Sequence, residues 1–243
     1  MRRTLSWRLG AAALAGAIVA TLSQVAGAQA APSSPTDVRD SVRASLVAAN
    51  TPAARQVLGG LDALERALPG YKTPAGLSGQ ALADHLRSTF AAAKAARASD
   101  GERLAGYFWC VGNPTWFHLR SDQGGGYMRP VSGGYLNATG TASQGESKFL
   151  ICNHTDWNPL HWVFFSNGTQ GYMQPDSTGR LNANHTGTFT LTQLFEWGTA
   201  SGAYYLWSYI RSAFVAASLN VASRPVWATS PNYLGWERWQ FHT

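Results

Sequence analysis

Phe117-His-Leu-Arg-Ser-Asp-Gln-Gly-Gly-Gly-Tyr-Met128 recurs forty-five residues on as Trp162-Val-Phe-Phe-Ser-Asn-Gly-Thr-Gln-Gly-Tyr-Met173. A third, looser copy runs Tyr204-Tyr-Leu-Trp-Ser-Tyr-Ile-Arg-Ser-Ala-Phe-Val215. Each copy has apolar residues two apart, then a serine, a polar turn and an aromatic six residues after the serine. Alternation of this kind is the signature of a half-buried strand, and the glycine-rich stretch between is turn chemistry. An internal period must be settled before any other reading of the fold.

The period extends on both sides. Asn113-Pro114 recurs as Asn158-Pro159, and Leu136-Asn137-Ala138 as Leu181-Asn182-Ala183, with Val226-Trp227-Ala228 in that place in the third copy. Phe149, Leu194 and Trp239 close the units. The third copy loses three residues early and regains them around Leu219 to Arg224. Units of about 113–152, 158–197 and 203–243 therefore hold four short strands each, twelve in all. One unit cannot bury its apolar face alone. Three units closing on a pseudo-threefold axis bury it together and leave no long edge exposed. The expected fold is mainly β, a β-trefoil over 106–243 preceded by a small α-helical segment over 31–105. The expected inward set is Leu119, Tyr127, Leu136, Phe149 and their counterparts.

These motifs, together with Trp236-Glu237-Arg238-Trp239-Gln240-Phe241 at the end of the third copy, resemble the fascin-like branch of the β-trefoil superfamily. The resemblance covers roughly Pro114 to the C-terminus and none of the helical segment. It implies the fold more than a function, because the shared residues specify core and turns. The architecture is also similar to that of ricin-type lectins, but their Gln-x-Trp signature does not stand in each copy.

Composition changes near Gly106. Between Ala31 and Ala105 the only aromatics are Tyr71 and Phe90, whereas nine of the ten tryptophans follow Gly106. The alanine-rich part reads as helices. Val38, Val42, Leu46 and Val47 recur at helical spacing after Ser34-Pro35-Thr36-Asp37. Thr51-Pro52 supplies a second N-terminus, a capping threonine followed by proline at the first helical position. Val57, Leu58, Leu61, Leu64 and Leu68 follow, and Pro69-Gly70 stops the run. A third helix is expected from Ser78 to Ala98, with Leu82, Leu86 and Phe90 on one face. Asp84 and His85 are adjacent and point in different directions on a helix, so they form no dyad.

The first thirty residues read as a secretory signal peptide: Arg2, Arg3 and Arg8, an uncharged run from Leu9 to Leu22, then Ala28-Gln29-Ala30. The run is short of the roughly 20 residues a bilayer span needs. Cleavage there takes three arginines and no acid from the formal net charge of +6, leaving about +3. That balance, evenly spread, argues against a nucleic-acid partner, and no later apolar run predicts membrane insertion. In an exported chain the two cysteines, Cys110 and Cys152, are expected to pair; the closed loop is worth on the order of 4 kcal/mol.

No catalytic motif stands in the chain: no Gly-x-Ser-x-Gly elbow, no His-Glu-x-x-His, no phosphate-cradling loop before a helix. His118, His154, His161, His185 and His242 lack ligand spacing. The expectation is a non-enzymatic protein without cofactor or metal. Binding is better motivated, since Trp109, Trp157, Trp207, Tyr209 and Trp236 exceed what a threefold core demands, and aromatic faces stack on sugars or anchor protein interfaces. Trp157 has Gly112 as its repeat counterpart and is flanked by Asp156 and Asn158, both suited to a ligand's hydroxyls. These three are the expected ligand-binding residues, and Trp236 and Trp239 are expected in the core and closing strand. The expected partner is a glycan or polysaccharide. The rival is a secreted protein, such as a hydrolase inhibited through the loop Leu219 to Arg224, or an envelope in which the chain is structural.

Overall fold

The computed structural model describes residues 35–99, 108–111, 116–142, 144–154, 161–200 and 203–243. The expected signal segment, 1–30, lies outside them. Three helices come first: α1 (Pro35–Ala49), α2 (Pro52–Ala67) and α3 (Gly79–Ser99). α2 begins where threonine and proline place it. Thr51 is extended, its Oγ1 accepts the Ala54 N–H at 3.1 Å, and Pro52 occupies the first turn. It ends before Pro69, with the Leu68 N–H donating to the Leu64 carbonyl. Val42, Leu46, Val57, Leu61, Leu64, Leu82, Leu86 and Phe90 are buried as their spacing predicts. Val47 is not; it is 62% exposed, one position off the α1 stripe. No helix among the described residues is long and apolar enough to cross a membrane.

Thirteen antiparallel strands follow: β1 (Phe108–Val111), β2 (His118–Ser121), β3 (Tyr127–Pro130), β4 (Leu136–Gly140), β5 (Phe149–His154), β6 (His161–Ser166), β7 (Gly171–Pro175), β8 (Leu181–His185), β9 (Phe195–Ala200), β10 (Ala203–Ser208), β11 (Ala213–Ala217), β12 (Val226–Ser230) and β13 (Trp239–His242). The sheet runs β1-β5-β6-β9-β10-β13-β2-β3-β4, with β7–β8 branching from β6 and β11–β12 from β10. Twelve of these are the expected strands. β1 is an addition, laid antiparallel along β5 with Cys110 opposite Cys152, and those two cysteines form the disulfide.

Bridges beyond the ladders tie the units. Phe117 and Phe149 exchange N–H···O bonds of 2.9 Å in both directions, joining the residue before β2 to β5. Tyr135 bridges to Asn182, Arg180 to Trp227 and Asn137 to Pro225. Tyr135, Arg180 and Pro225 each precede the second hairpin strand of their unit, so these bridges link like positions in cyclic order.

Leu119, Leu136 and Phe149 are buried, as are Phe164, Leu181, Leu194, Leu206, Val226 and Trp239 at the matching places. Tyr127 departs from the expected inward set. It is half-buried between the rings of His118 and His242, and Met128 takes the inward place, as do Met173 and Val215. β3 alternates strictly, with Met128 and Pro130 buried and Tyr127 and Arg129 half-buried, so Tyr127 lies on the outer face. All three hairpins carry a bulge with its extra residue on the second strand, between Gly140 and Ala138, His185 and Asn182, and Ser230 and Ala228.

The helices pack on the strands in two clusters, one shared with the inward set and one on the opposite face of β5 and β6. α1 and α2 bury Val42, Leu46 and Val57 with Leu150, Val163, Phe165 and Tyr172. Phe90 of α3 sits with Trp109 and Trp162, at 6.5 and 5.7 Å between ring centroids. The Tyr172 hydroxyl meets Gln56 Oε1 at 3.1 Å. The Thr243 N–H donates to the Leu77 carbonyl, fastening the C-terminus to the start of α3.

Candidate functional site

Asp156, Trp157 and Asn158 fall outside the described residues, in the connection between β5 and β6. The other singled-out aromatics divide. Trp109 is wholly buried and belongs to the core. Trp207 is half-buried, edge-on to Phe214 at 4.6 Å. Trp239 is buried as expected, its Nε1–H donating to the Val215 carbonyl at 2.8 Å. Trp236, expected with it in the core, is instead 45% exposed. It precedes β13 in a loop, where strand alternation does not apply. The loop from Leu219 to Arg224 is tied down rather than extended, with Leu219 packed on the core and Arg224 Nη1 donating to the Gly124 carbonyl.

Trp236 borders a cleft of about 260 Å³ lined by Ala216, Ser218, Trp227, Thr229, Ser230, Trp236 and Glu237. Its floor is the β11–β12 hairpin. Val215, Ala217, Val226 and Ala228 turn inward and are buried, which sends Ala216 and Trp227, opposite each other in register, to the outer face. The matching pairs in the other hairpins are Arg129 with Asn137 and Gln174 with Asn182. There the first strand carries the long side chain: Gln174 Oε1 accepts from Gln193 Nε2 at 2.6 Å, and Arg129 Nε donates to Thr139 Oγ1 at 3.4 Å. In the third hairpin the sizes are reversed. Alanine on β11 leaves the space open, and tryptophan on β12 forms its wall.

The loop after β12 supplies the opposite side. Glu237 is only 4% exposed. Its Oε2 accepts the Leu234 N–H at 2.9 Å, and Ser230 Oγ lies 2.7 Å from its Oε1 and 2.9 Å from the Asn232 carbonyl. The charge-assisted bond is the stronger choice for the single hydroxyl proton. The Ala217 N–H donates to the Trp236 carbonyl at 3.0 Å, binding the loop to β11. Trp227 is steadied from the second unit. The Arg180 guanidinium lies 5.2 Å from its ring centroid and 5.1 Å from that of Tyr135, and Nη2 donates to Asn137 Oδ1 at 2.8 Å.

Two indoles, three hydroxyls and a carboxylate thus converge on one opening. Indole faces take the C–H face of a sugar ring, and the polar groups suit its hydroxyls. Among the described residues no group of three or more His, Cys, Asp or Glu is placed to hold a metal ion. Two half-buried histidines lie across β2 and β13, His118 opposite His242. Burial lowers the pKa of both, with Lys148 adding to the effect at His118 and Arg120 at His242.

Sequence reasoning missed this cleft although the signal was present. The comparison of copies that singled out Trp157 against Gly112 applies equally to Trp227 against Asn137 and Asn182, and to Ala216 against Arg129 and Gln174. No protein-family model matches the chain, and no curated protein shows significant similarity to it.

Proposed function

We propose that the chain is a secreted, non-enzymatic protein that binds carbohydrate through a fascin-like β-trefoil. Two sets of bridges support the trefoil. The pair Phe117–Phe149 bridges the two ends of the run β5-β6-β9-β10-β13-β2, as closure of a six-stranded barrel requires. The cyclic bridges at Tyr135, Arg180 and Pro225 link like positions of the three hairpins in turn, as a threefold axis requires. Export is supported by the layout of the first thirty residues and by the Cys110–Cys152 disulfide, a bond that persists in oxidising compartments.

The observation that carries the sugar reading is the cleft itself. It lies where the third unit departs from the repeat: Trp227 adds an aromatic wall, and Ala216 stands where the other hairpins carry Arg129 and Gln174. Asp156, Trp157 and Asn158 stand as a second proposed contact, on the connection before β6.

A glycan and polysaccharide screen with the purified protein tests the reading. Retention on at least one glycan, weakened by Trp236→Ala, is the expected result. Absence of binding to every glycan, with a secreted hydrolase retained on a column of the protein, replaces this reading with the protein-binding one.

A further inference from the structure

The lining of the cleft holds one ionisable side chain, and its sign restricts the ligand. Glu237 is almost wholly buried, and each carboxylate oxygen meets one donor from the protein, Ser230 Oγ at Oε1 and the Leu234 N–H at Oε2. A carboxylate has about four lone-pair directions, so roughly half of its accepting capacity stays open. A buried carboxylate is costly without a cation or further donors, and Glu237 makes no ion pair among the described residues.

The neighbouring arginines are engaged elsewhere. Arg180 lies over the rings of Tyr135 and Trp227 and donates to Asn137. Arg238 Nε donates to the Leu234 carbonyl at 3.2 Å. Neither lines the cleft. The two walls beside Glu237 are indoles, whose faces attract ammonium groups. The volume, about 260 Å³, lies below the roughly 300–1,000 Å³ of pockets for drug-sized ligands and suits a single sugar ring.

We infer that the cleft takes one amino-sugar ring bearing a free ammonium group, with Glu237 as the specificity-determining residue. The ring stacks on Trp227 or Trp236, its ammonium pairs with the open side of the Glu237 carboxylate, and Thr229 and Ser230 meet its hydroxyls. An N-acetylated ring lacks the charge and binds more weakly. A uronic acid is repelled. This inference rests on the carbohydrate reading above.

The test is calorimetric titration of the purified protein with four tetramers: β-1,4-linked glucosamine, its N-acetylated form, β-1,4-linked glucose and α-1,4-linked galacturonic acid. The expected result is a glucosamine affinity about tenfold above that of the neutral tetramers, declining as salt rises, with no galacturonate binding. Glu237→Gln brings the glucosamine and neutral affinities level. If that variant folds poorly, the salt series on the unaltered protein decides: a preference indifferent to ionic strength overturns the inference. Neutral or acidic tetramers binding as tightly as glucosamine also overturn it, while the carbohydrate reading stands. No binding to these tetramers or to any glycan of the wider screen overturns both.

Discussion

Single side chains decide where this protein opens. Gln174 and Arg129 fill the outer faces of two hairpins, and Ala216 leaves the third one free. The walls of that opening differ in their debt to the fold, which separates two variants. Trp236 is 45% exposed in a loop outside the core, so Trp236→Ala should weaken glycan binding at least about tenfold while costing less than about 1 kcal/mol of stability. Trp227 also stacks on Arg180, so Trp227→Ala should weaken binding and cost about 1–2 kcal/mol as well. Titration alongside urea unfolding separates the two, and equal stability loss in both variants would contradict the assignment. At this scale the sequence was legible only in part. The excess of aromatics over the threefold demand was plain, but which of them face water was not. Trp236 and Trp239 share one short motif, and only the loop geometry puts the first outside and the second within.

At the scale of elements, local signals were read well where they are chemical and poorly where they depend on close approach. The Thr51-Pro52 start of α2 and its stop before Pro69 follow from capping and proline geometry. The phase of β3, which turns Met128 inward and Tyr127 outward, has no local signature, because Gly-Tyr-Met reads equally well in either register. Nor did the sequence announce that α2 crosses β1 at Gly60. A methyl there would lie 2.8 Å from Cys110 Sγ and 2.9 Å from the Phe108 carbonyl oxygen, whereas at Gly59 nothing lies within 4 Å. Gly59→Ala should therefore stabilise the protein by about 0.5–1 kcal/mol through helix propensity. Gly60→Ala should destabilise it despite the same propensity gain. Thermal melts of the two variants check this, and stabilisation by both would show that the helix does not seat on the strand. The disulfide pins the same strand. Replacing Cys110 and Cys152 with serine should cost about 2–4 kcal/mol, read as a lower urea midpoint.

For the whole molecule, the threefold pattern was the most legible feature, since it is written in spacing. What spacing left open was how the helical segment joins it. Phe90 against Trp109 and Trp162, the Tyr172–Gln56 hydrogen bond and the Leu77–Thr243 tie fasten the helices to the strands in two buried clusters. His118 and His242 lie beside that last tie and give it a pH dependence. Burial lowers both from the ordinary value of 6.5, so in the range below about 6.5 the unfolded chain binds more protons than the folded one. Stability is then greatest above that pH and is lost as the pH falls through it. The melting temperature should drop between about pH 7 and pH 5, and less steeply in a His118→Gln, His242→Gln double variant. A flat profile would contradict the burial of these rings.

On the reading proposed above, the third unit gave up a side chain the core does not need and became a sugar site. Ala216→Gln restores the residue of the second unit and should refill the opening. Titration of this variant with a glycan retained by the unaltered protein is the decisive measurement. The predicted result is loss of binding at an unchanged melting temperature. Full affinity in a well-folded Ala216→Gln protein would place any sugar site elsewhere on the molecule.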